Sequence, residues 1–239
     1  MIRRLATSAA AAAVVLMLTA CSGVLGGLHQ GASTDTVADN TDTATDADVT
    51  AEEIDQEIAD AIDVVDQFWS AHFSEFYTGG DGYTPPSDFI PYVASDLPSC
   101  SGEKVVPDNA FYCSPDNTML WDQALTDYLY VNGGDAVIYL VIAHEWGHAI
   151  QSQISDDSLW NAQELQADCF AAAALYGAAA DGTFTWEEGD TAEITNALTF
   201  LADQTAWTNT DDHGDPLDRI DAFNDGRIGG VEGCYPVAE

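Results

Sequence analysis

His144-Glu145-Trp146-Gly147-His148 sets two imidazoles four residues apart, with a carboxylate directly after the first. On a helix, positions i and i+4 share a face. Both Nε2 atoms can therefore converge on one metal ion, as the His-Glu-x-x-His zinc pattern requires. Glu145 would lie about 100° round such a helix from His144, off the ligand row but close to a metal-bound water. A general base belongs there, and the chemistry implied is hydrolysis by one Zn2+.

The pattern has only three fixed positions, and chance copies on solvated helices are common, so its surroundings matter. Residues 137–143 form an uninterrupted apolar run leading into it, which argues for a helix buried on most sides. Imidazoles and a carboxylate in such a helix are costly unless paired or metal-bound. A hydrolytic zinc site needs a third protein ligand and an open position. Glu164, sixteen residues beyond His148, is the candidate, in a stretch that reads as a second helix over 159–180. Asp168 shares its face four residues on and can accept the free N–H of a ligating histidine. On an isolated helix, Glu164 and Asp168 would be an ordinary solvated pair. Cys169 falls about 140° from that face and reads as half of a disulfide.

These blocks resemble the neutral zinc metallopeptidases of bacteria, within the broader gluzincin group. The resemblance is carried by Phe111-Tyr112-Cys113-Ser114-Pro115-Asp116, by Val141-Ile142-Ala143-His144-Glu145-Trp146-Gly147-His148 and by Glu164-Leu165-Gln166-Ala167-Asp168-Cys169. A weaker block is His213-Gly214 with Arg219, Phe223, Gly226 and Cys234, so the likeness spans roughly residues 85–236. It implies zinc ligation by His144, His148 and Glu164, catalysis by Glu145, and an edge strand before the active-site helix that holds extended substrate. Ala149 and Ala171-Ala172 depart from the family, which often has His and Ala-Gly there. His213 is the expected donor to the oxyanion of the tetrahedral intermediate, with Tyr112 as the substitute. A surface histidine near a turn is an equally good reading of His213.

Met1-Ile2-Arg3-Arg4 and the apolar run over 5–20 have the make-up of a secretory leader too short to span a bilayer comfortably. Leu18-Thr19-Ala20-Cys21 resembles a lipobox, which would make Cys21 the lipidated N-terminus of a protein held on the outer face of the bacterial cytoplasmic membrane. An ordinary secreted protein cleaved nearby is the alternative. Five cysteines are an odd set. Assigning Cys21 to lipid leaves Cys100, Cys113, Cys169 and Cys234, an even number for an oxidising compartment. Of the three connectivities, Cys100 with Cys113 and Cys169 with Cys234 are favoured, the second stapling the C-terminal segment to the helix of Glu164. Five basic against 41 acidic residues give a formal charge of −36. Such a chain repels nucleic acid and anionic headgroups and suits surroundings in which salt screens it. Solubility alone is the plainer account.

Residues 21–49, poor in large apolar side chains, read as a flexible tether, which leaves 50–239 as one domain. Thr50-Ala51-Glu52-Glu53 has capping-box spacing. Ile54, Ile58, Ile62, Val65, Trp69, Phe73 and Phe76 then mark an amphipathic helix to about residue 76. His72 on it reads as packed, and His29 in the tether as inert. Residues 110–113 and 118–121 flank a turn-forming Ser114-Pro115-Asp116-Asn117 and predict a β-hairpin. Helices are expected near 122–131, 135–154, 159–180, 188–203 and 215–225. The fold class is therefore mainly α with a small β component, a zincin-like helical domain with a hairpin or edge sheet before the active-site helix. The leading expectation is a membrane-tethered zinc metallopeptidase acting on peptide or protein substrates. A non-catalytic zinc-binding lipoprotein and a zinc hydrolase of cell-wall amides are the alternatives.

Overall fold

The computed structural model describes residues 49–77, 82–202 and 214–236. The leader at 1–20, Cys21, His29, His213 and all of the tether before residue 49 lie outside them. The first helix, α1 (Ala51–Phe76), starts where the sequence expects: Glu53 N donates to Thr50 Oγ1 at 3.2 Å while Thr50 N donates to Glu53 Oε2 at 2.8 Å. This reciprocal cap satisfies two of the amides that a helix start leaves open. Behind it Ile54, Ile58, Val65, Trp69 and Phe73 are buried along one stripe, with Ile62 and Phe76 partly buried at its margins.

Five short strands follow: β1 (Asp88–Tyr92), β2 (Ser99–Cys100), β3 (Glu103–Lys104), β4 (Ala110–Cys113) and β5 (Thr118–Asp122). β4 and β5 form the expected hairpin, antiparallel with Cys113 opposite Thr118, around a turn whose Asn117 adopts the left-handed conformation. β1 was not legible. It pairs in parallel with β5, Asp88 opposite Thr118 and Tyr92 opposite Asp122, giving the order β1-β5-β4. Its burial does not alternate and it contains Pro91, which is tolerated because β1 is an edge strand. β2 and β3 make a separate two-stranded piece.

The helices are α2 (Gln123–Gly133), α3 (Ala136–Gln151), α4 (Gln163–Asp181), α5 (Asp190–Phe200) and α6 (Pro216–Gly229), followed by a 3-10 segment, Gly230–Cys234. The class is mainly helical α+β, as the sequence indicates. α3 and α4 are the buried axis of the molecule. Fourteen of the sixteen residues of α3 are buried, and residues 166–175 of α4 are buried without a break. Alanines in that stretch let α1, α3 and α6 pack closely round α4. Both favoured disulfides are present: Cys100–Cys113 ties β2 to the end of β4, and Cys169–Cys234 ties the final segment to α4. Among the described residues no helix is long and apolar enough to cross a membrane.

Candidate metal centre and active site

His144 and His148 lie one turn apart on α3, and Glu164 opens α4. The helices cross closely because Gly147, between the two histidines, abuts α4. A Cβ built on it would sit 2.8 Å from Ala167 Cα and 2.9 Å from Ala167 O. This crossing brings the first turn of α4 to the histidine face of α3. Glu164 Oε2 is 3.2 Å from His144 Nε2, and Glu164 Oε1 is 3.3 Å from His148 Nε2. One ligand atom from each of the three side chains falls within 4.8 Å of the others.

The far sides of both imidazoles are held. Asp168 Oδ1 is 2.8 Å from His144 Nδ1, as the sequence reading of Asp168 expects. Asp168 is fully buried and takes two bonds from Arg219 on α6, from Nε to Oδ2 and from Nη2 to Oδ1, both 2.7 Å. It is therefore ionised and acceptor-only, so His144 Nδ1 must donate to it. Gln151 Oε1 lies 2.8 Å from His148 Nδ1, while Gln151 Nε2 donates to Gln163 O at 2.6 Å. That second bond fixes the amide's orientation and makes His148 Nδ1 a donor too. Gln166, fully buried, completes the support: its Nε2 donates to Ser158 O and Cys234 O, and its Oε1 accepts from Trp160 N.

The donor chemistry fits a cation. With both Nδ1 protons committed outward, both Nε2 lone pairs face the Glu164 carboxylate, and lone pairs facing a carboxylate repel unless a proton or a cation lies between. Burial works against the imidazolium at His144, but Asp168 and Glu164 outweigh it and hold its pKa up at about 10. At His148 burial likewise opposes a rise that the bond to Glu164 produces. Burial would raise Glu164, yet the two histidines hold it well below the usual carboxylate range. A divalent ion satisfies the same three groups while releasing the protons, and His2Glu is a zinc donor set. Glu145 adds a second sign: its residue is buried and its Oε2 has no hydrogen-bond partner. Buried carboxylate oxygens are rarely left so unless something else uses them.

The sequence profile of the family described as putative neutral zinc metallopeptidase matches residues 5–156. The chain belongs to this family. Neither a curated protein nor a solved structure matches it. The metallopeptidase match contains His144, Glu145 and His148 but stops short of Glu164 and Asp168, whose relation to the histidines rests on the coordinates.

Two cavities meet at Asn109, Ala110 and Glu145. One, about 470 Å³, has a mostly polar lining that includes Tyr112, Gln151, Ser152, His148 and Glu164. The other, about 220 Å³, extends from His144 and Glu145 toward α2. β4 borders both and is the edge of its sheet. Tyr112 donates its hydroxyl to Asn117 Oδ1 at 2.7 Å, so that proton is already committed. His213 lies outside the described residues. Its neighbour Gly214 packs against Leu165, the residue after Glu164. Sequence reasoning assigned no role to Gln151, Gln166 or Arg219.

Proposed function

We propose that the protein is an extracytoplasmic zinc peptidase, tethered to the outer face of the cytoplasmic membrane by lipid on Cys21. The unpartnered, buried Oε2 of Glu145 beside three converging donors carries the catalytic part of this reading. His144, His148 and Glu164 are the ligands. A zinc ion there supplies a Lewis acid and brings the pKa of water toward neutrality. Glu145 takes a proton from the attacking water as its oxygen bonds to the scissile carbonyl carbon, and passes that proton to the amine as the C–N bond breaks. β4 offers its free edge to an extended substrate by strand addition. His213, which lies outside the described residues, is the proposed donor to the developing oxyanion. Asp168 and Gln151 keep the imidazoles in the tautomer that presents Nε2.

The test pairs metal analysis with digestion of an unstructured protein by the mature chain. Wild type should bind one zinc and cleave, and a chelator should stop it. Glu145→Gln should keep the zinc and lose turnover by a factor of at least about 10². Zinc binding without hydrolysis of any peptide would favour a non-catalytic zinc lipoprotein, and activity on purified cell wall alone would favour an amide hydrolase of the wall. Recovery of the chain from cells in a membrane fraction that Cys21→Ala abolishes would support the anchor. Release of an unacylated wild-type chain would refute it.

A further inference from the structure

We propose that the larger cavity beside the metal ligands seats an arginine or lysine side chain of the substrate, within two residues of the cleaved bond. This rests on the peptidase reading above and adds a substrate class to it.

The decisive feature is a pair of hydroxyl oxygens with no proton left to give. Asn117 Nδ2 donates to Pro85 O at 3.0 Å, which fixes the orientation of that amide. Asn117 Oδ1 is therefore an acceptor, and the Tyr112 hydroxyl, 2.7 Å away, must donate to it. Ser152 Oγ donates to Ala149 O at 2.8 Å. The two hydroxyl oxygens lie 3.4 Å apart, each with lone pairs to offer, and both residues line the cavity of about 470 Å³. Such a pair attracts a group that brings several N–H donors and no acceptor. Guanidinium and ammonium are the side-chain groups of that kind. The Gln151 amide in the same wall is spent on His148 Nδ1 and Gln163 O, so it offers an incoming carboxylate nothing.

Charge points the same way. Glu145 and Glu164 border the cavity, whereas Lys104, Arg219 and Arg227, the basic residues beyond the first four positions, do not. Two carboxylates balance a bound divalent ion, which leaves no positive surplus for a substrate carboxylate. Phe111 and Leu159, both partly buried, supply apolar wall along which the methylene stem of Arg or Lys can lie, while the exposed Ser152 keeps the charged head beside water. Strand geometry sets the position. Ala110 borders both cavities next to Glu145, and Tyr112 is two residues along β4 on the same side of the strand. That is about 7 Å at the rise of a strand. A substrate paired to β4 therefore brings the side chain that reaches Tyr112 within two residues of the bond at Glu145.

The experiment digests a positional-scanning peptide library with the zinc-loaded protein at fixed ionic strength and reads kcat/KM at each position. At one position within two residues of the cleaved bond, Arg or Lys should exceed Ala and Glu by about tenfold or more, and by far less elsewhere. That contrast separates a seat from the general pull of an acidic surface, which acts on a cationic peptide wherever its charge sits. Variants are judged by the ratio of Arg to Ala substrates within each protein, so a general loss of activity cancels. Ser152→Ala and Tyr112→Phe should each lower the ratio severalfold, and Ser152→Lys, at an exposed helix end, should reverse the preference toward Glu. A basic preference spread evenly over all positions, no basic preference at any, or a ratio that none of the three variants moves would overturn the proposal. No cleavage of any library member would instead defeat the peptidase reading, and the seat is then judged by binding. N-acetyl-arginine amide added to the wild-type protein should shift the backbone amide resonances of Tyr112 and Ser152, the corresponding glutamate derivative should not, and Ser152→Lys should abolish the shift. Absent or indiscriminate shifts would overturn it.

Discussion

Arg219 touches none of the three proposed metal ligands, yet it sets the charge state behind one of them. Its guanidinium holds the fully buried Asp168 as a carboxylate, and Asp168 in turn fixes His144. Replacing Arg219 with Met would leave Asp168 buried with His144 as its remaining charged partner, which costs about 3–5 kcal/mol by the usual penalty for breaking a buried pair. Urea unfolding of wild type and Arg219→Met measures this, and a loss under about 1 kcal/mol would mean that Asp168 can shed its charge. Gln151 makes a complementary case, since Gln151→Met removes the acceptor of His148 Nδ1 and the donor to Gln163 O but strands no buried charge. Zinc affinity, read by chelator competition, should fall about 10- to 100-fold with a much smaller change in stability. Unchanged affinity would deny Gln151 its role. At this scale the sequence reveals what is local. His144, Glu145 and His148 are one helical turn, and Asp168 is one turn from Glu164. Gln151, three residues from His148, had the right spacing too, but glutamines on helix surfaces are too common to read. Arg219 is 51 residues from Asp168. Its signals were its rarity, as one of five basic residues against 41 acidic ones, and its place in the weaker block that begins at His213, and neither says what it touches.

Helix positions matter because the donors come from two of them. Gly147 is the contact that lets α3 and α4 approach, and even one methyl there meets the Ala167 backbone. Gly147→Ala should therefore cost about 1–3 kcal/mol as the helices part and weaken zinc binding at the same time. A variant of normal stability and affinity would show that the crossing can relax. The Cys169–Cys234 disulfide closes 65 residues of chain onto α4. In the chain-entropy account it contributes roughly 4 kcal/mol, to be read from the double alanine variant. α1 is joined to α4 by His72, whose Nε2 lies 2.7 Å from Asp181 Oδ2 and Nδ1 3.1 Å from Glu75 Oε2. The bond to Glu75, opposed by burial and aided by Asp181, raises its pKa. A folded pKa above the unfolded value of about 6.5 means that the stabilisation is fully present below that pH and is lost as pH rises through the folded value. The stability difference between wild type and His72→Gln should shrink across that alkaline window, and a difference that grew would reverse the assignment. The helices were legible from periodicity and caps, to within a few residues at each end. β1 was not, because pairing in parallel with a strand about thirty residues on depends on contacts that a five-residue segment with an internal proline does not advertise.

Across the whole molecule, 41 carboxylates against five basic side chains make repulsion a general cost of the folded state. Among the described residues, carboxylates gather where α1 faces the starts of α3 and α5. Glu57, Asp60, Asp63, Asp135, Glu187 and Asp190 line one cavity of about 520 Å³ there, and Glu193 sits near Asp135 and Asp190. Burial first, then neighbouring carboxylates including Asp135, raise the pKa of Glu57, and burial with Asp135 and Asp190 raises Glu193. A carboxylate whose folded pKa exceeds its unfolded value binds its proton more tightly in the native state, so its contribution falls as pH rises through that interval. Salt acts on the same repulsion. The screening length drops from about 10 Å at 0.1 M to about 3 Å at 1 M, shorter than most separations across such a surface. If screening recovers on the order of 2 kcal/mol, the melting temperature should rise about 4–8 °C between those concentrations for a domain of this size. Glu57→Gln combined with Glu193→Gln keeps the acceptor that Glu193 offers to Ala136 N while removing two charges. The double variant should melt higher than wild type at low salt and gain less from added salt. Equal salt dependence in the two proteins would place the repulsion elsewhere on the surface, and a wild-type melting temperature indifferent to salt would leave solubility as the sole role of the acidic residues.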